Sequence, residues 1–297
     1  MIKYKVGDEM SNFILHFFKE RNRFVDHERL FSFLENFQEI SIRYTEEEAS
    51  EFKIEYRHDV LEIKADFILS RKSAVRNIHK INPLYLDVNF RVEIPTLTPA
   101  FSASIVLDVV DKLCKEFGFL VYNDLFEDAL PFRREVIEKV FQINKQKFKD
   151  QFSYKMPDYY YYSPSKLTDC LKYVNEQYEL HRFYKEQDIY VPHYYIVKDE
   201  EDKVHFTIEW TENTKTIFPP HIDYIYYRQG LETTLLPYDE VMAKIEKYTT
   251  NVPGFIEHTK VVEPKMLKRI TKAIKKAKFT AVKGPLFRIE LTQVIDI

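Results

Sequence analysis

Tyr85-Leu-Asp-Val-Asn-Phe-Arg-Val-Glu-Ile94 is the stretch on which the fold class turns. Leu86, Val88, Phe90 and Val92 alternate with Asp87, Asn89, Arg91 and Glu93. One face is therefore apolar and one wet, the pattern of a strand in an antiparallel sheet. Pro95 and Pro99 end the pattern. Immediately after them Ala103, Val106, Leu107, Val110, Leu113, Cys114 and Phe117 recur at helical spacing, which predicts an amphipathic helix. Gly118 stands where such a helix wants a left-handed residue.

Working back from this point, extended segments are expected at 40–44, 52–56 and 60–69. Residues 8–38 carry helical spacing around Phe13, Phe17, Leu30 and Leu34, with a break at 21–26. Working forward, a short strand at 119–122 precedes a helix over 132–149. Strands come in a group and helices follow, so the expectation is α+β rather than alternating β-α-β.

A second half begins in the stretch 151–162, which holds Pro157 and Tyr159, Tyr160, Tyr161 and Tyr162 and shows no period. The chain length of 297 fits about two domains. The expected division is 1–150 and 151–297, each a mainly antiparallel sheet packed against amphipathic helices. Ser163 followed by Pro164 reads as the cap and first turn of a helix. Its expected buried stripe is Leu167, Cys170, Leu171, Val174, Tyr178 and His181. Segments 190–197 and 204–210 read as a hairpin turning at Glu200-Glu201, with Val197 opposite Val204. That register puts Val191, His193, Tyr195, Val197, Val204, Phe206, Ile208 and Trp210 on one face, and His205 on the other. A third strand at 221–228, helices near 237–248 and 264–277, and a last strand at 286–295 complete the half.

Composition removes several classes of function. The chain is 45% hydrophobic and 15% aromatic, too apolar for disorder. Its five glycines, against about 21 at ordinary usage, are all far apart, so there is no G-x-G-x-x-G, no P-loop and no G-x-S-x-G elbow. Cys114 and Cys170 form no C-x-x-C pair and fall in predicted helices, so both read as reduced, buried thiols. The first ten residues lack a signal-peptide core, and the longest stretch without Asp, Glu, Lys or Arg, 94–107, is broken by prolines. A cytoplasmic protein is expected, and no cofactor is implied.

Catalytic readings are thin. His193, His205 and His221 invite a metal, but the expected hairpin register sets His193 and His205 on opposite faces, where they cannot hold one ion. No metal site is expected; His193 reads as a core histidine and the other two as surface ones. Glu209, Glu212, His221 and Asp223 flank one loop that Pro219-Pro220 stiffens. They are the candidate catalytic set of a small hydrolase or transferase, against a plain reading as an inter-strand loop.

The charge layout departs furthest from an ordinary surface. Between Pro264 and Arg288 there are nine Lys and Arg and no acid, so a net −3 chain carries −12 on its other 272 residues. On a helix, Lys265, Lys268, Lys272, Lys275 and Lys276 cover one side; Met266, Ile270, Ala273, Ile274 and Ala277 cover the other. This ridge is balanced internally by acids such as those at 46–48 or 199–202, or meets an acidic protein, or holds phosphates. The reading adopted is a non-catalytic binding protein of the immunity, adaptor or assembly type. Its protein partner is expected on Lys265, Lys268, Lys272, Lys275, Lys276, Trp210, Tyr160 and Tyr161. The hydrolase comes second and a nucleic-acid binder through 264–288 third; no membrane partner is expected.

Overall fold

The computed structural model describes residues 11–21, 24–42, 51–254 and 257–297, and contacts divide the chain into Met1–Pro157 with Ile297, and Asp158–Asp296. The acids at 46–48 lie outside the described residues. The fold class is α+β, with helices beside sheets that are mostly antiparallel.

The first unit runs β1 (Asn12–Glu20), α1 (His27–Glu35), β2 (Ile40–Ile42), β3 (Glu51–His58), β4 (Ile63–Ser70), β5 (Tyr85–Pro95), α2 (Ala100–Phe117), β6 (Leu120–Tyr122), β7 (Leu130–Pro131) and α3 (Arg134–Phe152). The seven strands form one antiparallel sheet in the order β2-β3-β4-β5-β1-β6-β7. The helical expectation for the first segment is corrected at β1. Phe13 and Phe17 are four apart, but Leu15 between them is buried too, so the period is two. Phe17 stacks on Phe90 at 5.2 Å, and Phe13 meets Phe141 of α3 edge-on at 5.2 Å. Beside β1, the ladder of β5 slips between His16 and Phe18, and Asn89 takes a positive φ of 59° there. Gly118 ends α2 in the left-handed region, at φ 64°.

The second unit runs β8 (Tyr160–Tyr161), α4 (Pro164–Tyr184), β9 (Tyr195–Lys198), β10 (Val204–Thr211), β11 (Ile217–Phe218), β12 (Tyr224–Gln229), β13 (Glu232–Pro237), α5 (Tyr238–Ile245), β14 (Thr249–Asn251), β15 (Lys260–Val262), α6 (Leu267–Lys276), β16 (Phe287–Arg288) and β17 (Val294–Ile295). The main sheet has the order β13-β12-β10-β9-β16, with β10 and β12 parallel and the other pairs antiparallel. The crossover between the parallel pair passes through β11, which belongs to a separate sheet, β11-β15-β14. The expected last strand is two short ones, β16 and β17.

Two sequence expectations are corrected here. Lys198 opposes Val204 and Val197 opposes His205, one residue off the expected register. Asp199 is the cause: its carboxylate accepts the amides of Glu201 at 2.9 Å and Lys203 at 3.0 Å, closing a five-residue loop instead of a tight turn. A one-residue slip exchanges the faces. Tyr195 and Val197 therefore share a face with His205, while Val204, Phe206, Ile208 and Trp210 turn to the core. The second correction concerns α4. Its later buried positions are Tyr173, Gln177, Leu180 and Tyr184, whereas Tyr178 is 71% exposed. The Tyr173 hydroxyl and the Gln177 amide both donate to the Pro192 carbonyl, at 2.8 and 2.7 Å, which allows polar groups inside. The Ser163 side chain does not cap this helix; its carbonyl accepts from the Leu167 amide at 2.8 Å.

Candidate partner-binding surface

α6 is anchored by Ile270 and Ile274, which enter a core of Ile208, Trp210, Phe218, Ile225, Val241, Ile245 and Val262. Its other side is solvent. Lys265, Lys268, Lys272, Lys275 and Lys276 are all exposed. Lys275 pairs with Glu212 at 2.8 Å and holds that carboxylate below its usual range. Among the described residues the other four have no carboxylate partner. Of the four acids in the β9–β10 loop, Asp199 pairs with His205 and Asp202 with Lys198, while Glu200 lies beside Gly284 of the basic segment and, among the described residues, none of the four pairs with a ridge lysine.

Aromatic candidates separate by burial. Trp210 is 1% exposed, wedged between Phe218 at 5.2 Å and Tyr227 at 5.1 Å, with its indole N–H donating to the Thr214 carbonyl at 3.0 Å. It is a core residue, so the expectation that it meets a partner is corrected. Tyr161 is 60% exposed, and Tyr160 is half-buried with the Lys198 ammonium 4.5 Å from its ring centre. These two keep an accessible surface.

The four candidate catalytic groups each bond outside the set. Glu209 faces Arg228 at 3.7 Å, and Glu212 takes Lys275 together with Gln229 at 3.3 Å. His221, at a positive φ of 56°, pairs through Nε2 with Asp169 of α4 at 2.8 Å. Asp223 accepts the Phe206 amide at 3.1 Å and lies 3.6 Å from His205 Nδ1. Both cysteines are buried; burial pushes the Cys114 thiol up to about 12 and the Cys170 thiol higher still. Neither offers a thiolate near neutral pH.

Among the histidines the expected roles reverse. His193 precedes β9 and is exposed, with its ring 6.2 Å from that of His181. His205 is 3% exposed and held between Asp199, 3.1 Å from Nε2, and Asp223. Asp223, then Asp199, raise its pKa against the opposing effect of burial. The signal for this clamp in the sequence is Asp199 at the head of the loop, and it becomes legible only with the register.

The wet face of the main sheet forms a cavity of about 450 Å³ over β9, β10 and β12. Tyr195, Glu209 and Tyr226 line its floor, with Arg228 at one side and Leu286 and Arg288 at the other. Sequence reading missed it because the expected register faced Tyr195 toward the core.

No family model, curated protein or solved structure matches the chain. Among the described residues no helix is long and apolar enough to cross a membrane, and no cluster of three or more His, Cys, Asp or Glu could hold a metal ion.

Proposed function

We propose that this chain is a non-catalytic binding protein of the immunity, adaptor or assembly kind, acting in the cytoplasm. It engages a protein partner through the basic side of α6 and the tyrosines of β8, Tyr161 exposed and Tyr160 half-buried. The observation that carries this reading is the ridge itself. Lys268, Lys272 and Lys276 project from a helix pinned by Ile270 and Ile274, with Lys265 on the turn just before it, and none of the four has a carboxylate partner among the described residues. Four like charges held together on a docked helix and the turn before it resist burial unless an opposite surface meets them. A complementary acidic surface gains encounter rate and selectivity from such a patch. The triple variant Lys268→Glu, Lys272→Glu, Lys276→Glu is expected to lose the proteins that the wild type captures from native lysate. An unchanged set of bound proteins removes the ridge as the interface. Binding of a 20-base-pair duplex with a log–log salt slope of about −0.9 per phosphate contacted supports the nucleic-acid reading instead.

A second reading, a hydrolase or transferase, draws support from the His221–Asp169 pair, in which a carboxylate orients an imidazole on a proline-stiffened loop. For that reading His221→Ala with Glu212→Ala keeps the fold and abolishes an activity; full function in the double variant ends it.

A further inference from the structure

The cavity over β9, β10 and β12 has features that the lysine ridge lacks: a shaped floor and fixed rims. Its floor comes from strands of one sheet, so that part of its geometry is set before any ligand arrives, and Leu231 and Leu286 are added from the turn and loop beside them. The volume of about 450 Å³ is that of a binding cleft. Register places its groups in rows. Thr233, Arg228 and Thr211 oppose one another, then Leu235, Tyr226 and Glu209, while Val197 links His205 to Arg288. Arg228 and Arg288 therefore share the wet face on a diagonal: three strand spacings across the sheet, about 14 Å at 4.8 Å each, and six residues along it from the His205 row to the Thr211 row, about 20 Å, so about 25 Å between their Cα atoms.

Both arginines are exposed and available. Arg288 has no ion pair among the described residues, and Arg228 has Glu209 at 3.7 Å, too long for a charge-assisted hydrogen bond, and a long 3.4 Å bond from its Nε to the Gly230 carbonyl. Between them the rings of Tyr195 and Tyr226 meet edge-on at 6.5 Å, and Leu231 at the turn beside Arg228 is 99% exposed. The ridge leads to this rim: Lys275 pairs with Glu212, whose amide donates to the Arg228 carbonyl at 2.8 Å.

We propose that this cavity receives an extended acidic segment of a protein partner, with two carboxylates about seven residues apart on Arg228 and Arg288 and its backbone running diagonally over Tyr195 and Tyr226. The spacing follows from about 3.3 Å of rise per extended residue across about 25 Å. Glu209 decides between a peptide and a nucleic acid. A nucleotide strand brings a phosphate at every step and cannot avoid that carboxylate, whereas a peptide places an amide or a cationic side chain beside it. The inference rests on the reading of the chain as a partner-binding protein and adds a second contact to the ridge.

The test uses the full chain and a displayed library of random twelve-residue peptides, followed by fluorescence anisotropy with the labelled winners. Enriched sequences are expected to carry acidic residues six to eight positions apart. Arg228→Glu with Arg288→Glu is expected to weaken them at least tenfold, and the milder pair Arg228→Gln with Arg288→Gln at least threefold, with melting temperatures unchanged. Failure to enrich any saturable peptide overturns the proposal. So does tighter binding of a labelled twelve-nucleotide dT strand that the same arginine variants abolish. Peptides that lose affinity on reversal of Lys268, Lys272 and Lys276 but not of the arginines overturn the cavity and leave the ridge reading standing.

Discussion

His205 shows how one residue ties distant parts of the chain together. Its Nε2 bonds the loop carboxylate of Asp199 at 3.1 Å, and its Nδ1 faces Asp223 at the entry of β12 across 3.6 Å, an ion-pair contact without a hydrogen bond, so it is the charge of the ring that ties the hairpin to the parallel strand. Because its folded pKa is raised above the reference of 6.5, the protonated ring contributes stability that is fully present below about pH 6.5. That contribution is lost as pH rises through the raised folded value. Asp199 acts in the other direction: burial pushes its carboxyl up, but the bonds to His205 and to the loop amides together outweigh that and leave its pKa lowered. His16 and His181, whose pKa values burial lowers, contribute the opposite slope, so in denaturant unfolding between pH 6 and 8 the stability of the wild type relative to His205→Asn should fall as pH rises. An equal slope in the variant would show that the clamp does not hold in solution. The sequence presents His205 as one of nine histidines; only the register gives it two acids.

At the scale of elements, α6 divides its labour between two sides. Removing the lysines should leave the helix in place, since exposed substitutions away from special features change stability by about 0.5 kcal/mol or less. Ile270 is fully buried, and Ile270→Ala should cost about 2–5 kcal/mol through lost burial and a residual cavity. Urea titrations of Lys268→Glu and Ile270→Ala check both, and a costly lysine reversal would mean that the ridge does structural work within the fold. This helix was legible from spacing alone, because its lysines and isoleucines fall on opposite sides of a 3.6 period. β1 was not, because Phe13 and Phe17 satisfy a helical spacing while Leu15, between them, fits only a strand. α4 was legible at its start and lost after Leu171, where Tyr173 and Gln177 are buried on the strength of one carbonyl acceptor, Pro192.

For the whole molecule, the two units each hold their own hydrophobic residues: the phenylalanines of β1, β4 and β5 in the first, and the cluster around Trp210 in the second. We therefore expect Met1–Pro157 and Asp158–Ile297, made separately, each to unfold cooperatively in thermal denaturation followed by circular dichroism. A gradual, non-cooperative melt of either fragment would show that it depends on the other. The sequence by itself determined the α+β class, most of the helices, the burial of both cysteines and the basic segment 264–288. All of these follow from local periodicity or from composition, which act over a few residues. Tertiary structure alone decided the hairpin register, the parallel pairing of β10 with β12, the Asp199–His205–Asp223 clamp and the arginine-rimmed cavity. Each depends on which residue lies opposite which across strands far apart in the chain. A single-residue change in a loop, here the turn closed by Asp199, exchanges the two faces of a strand without altering its local pattern.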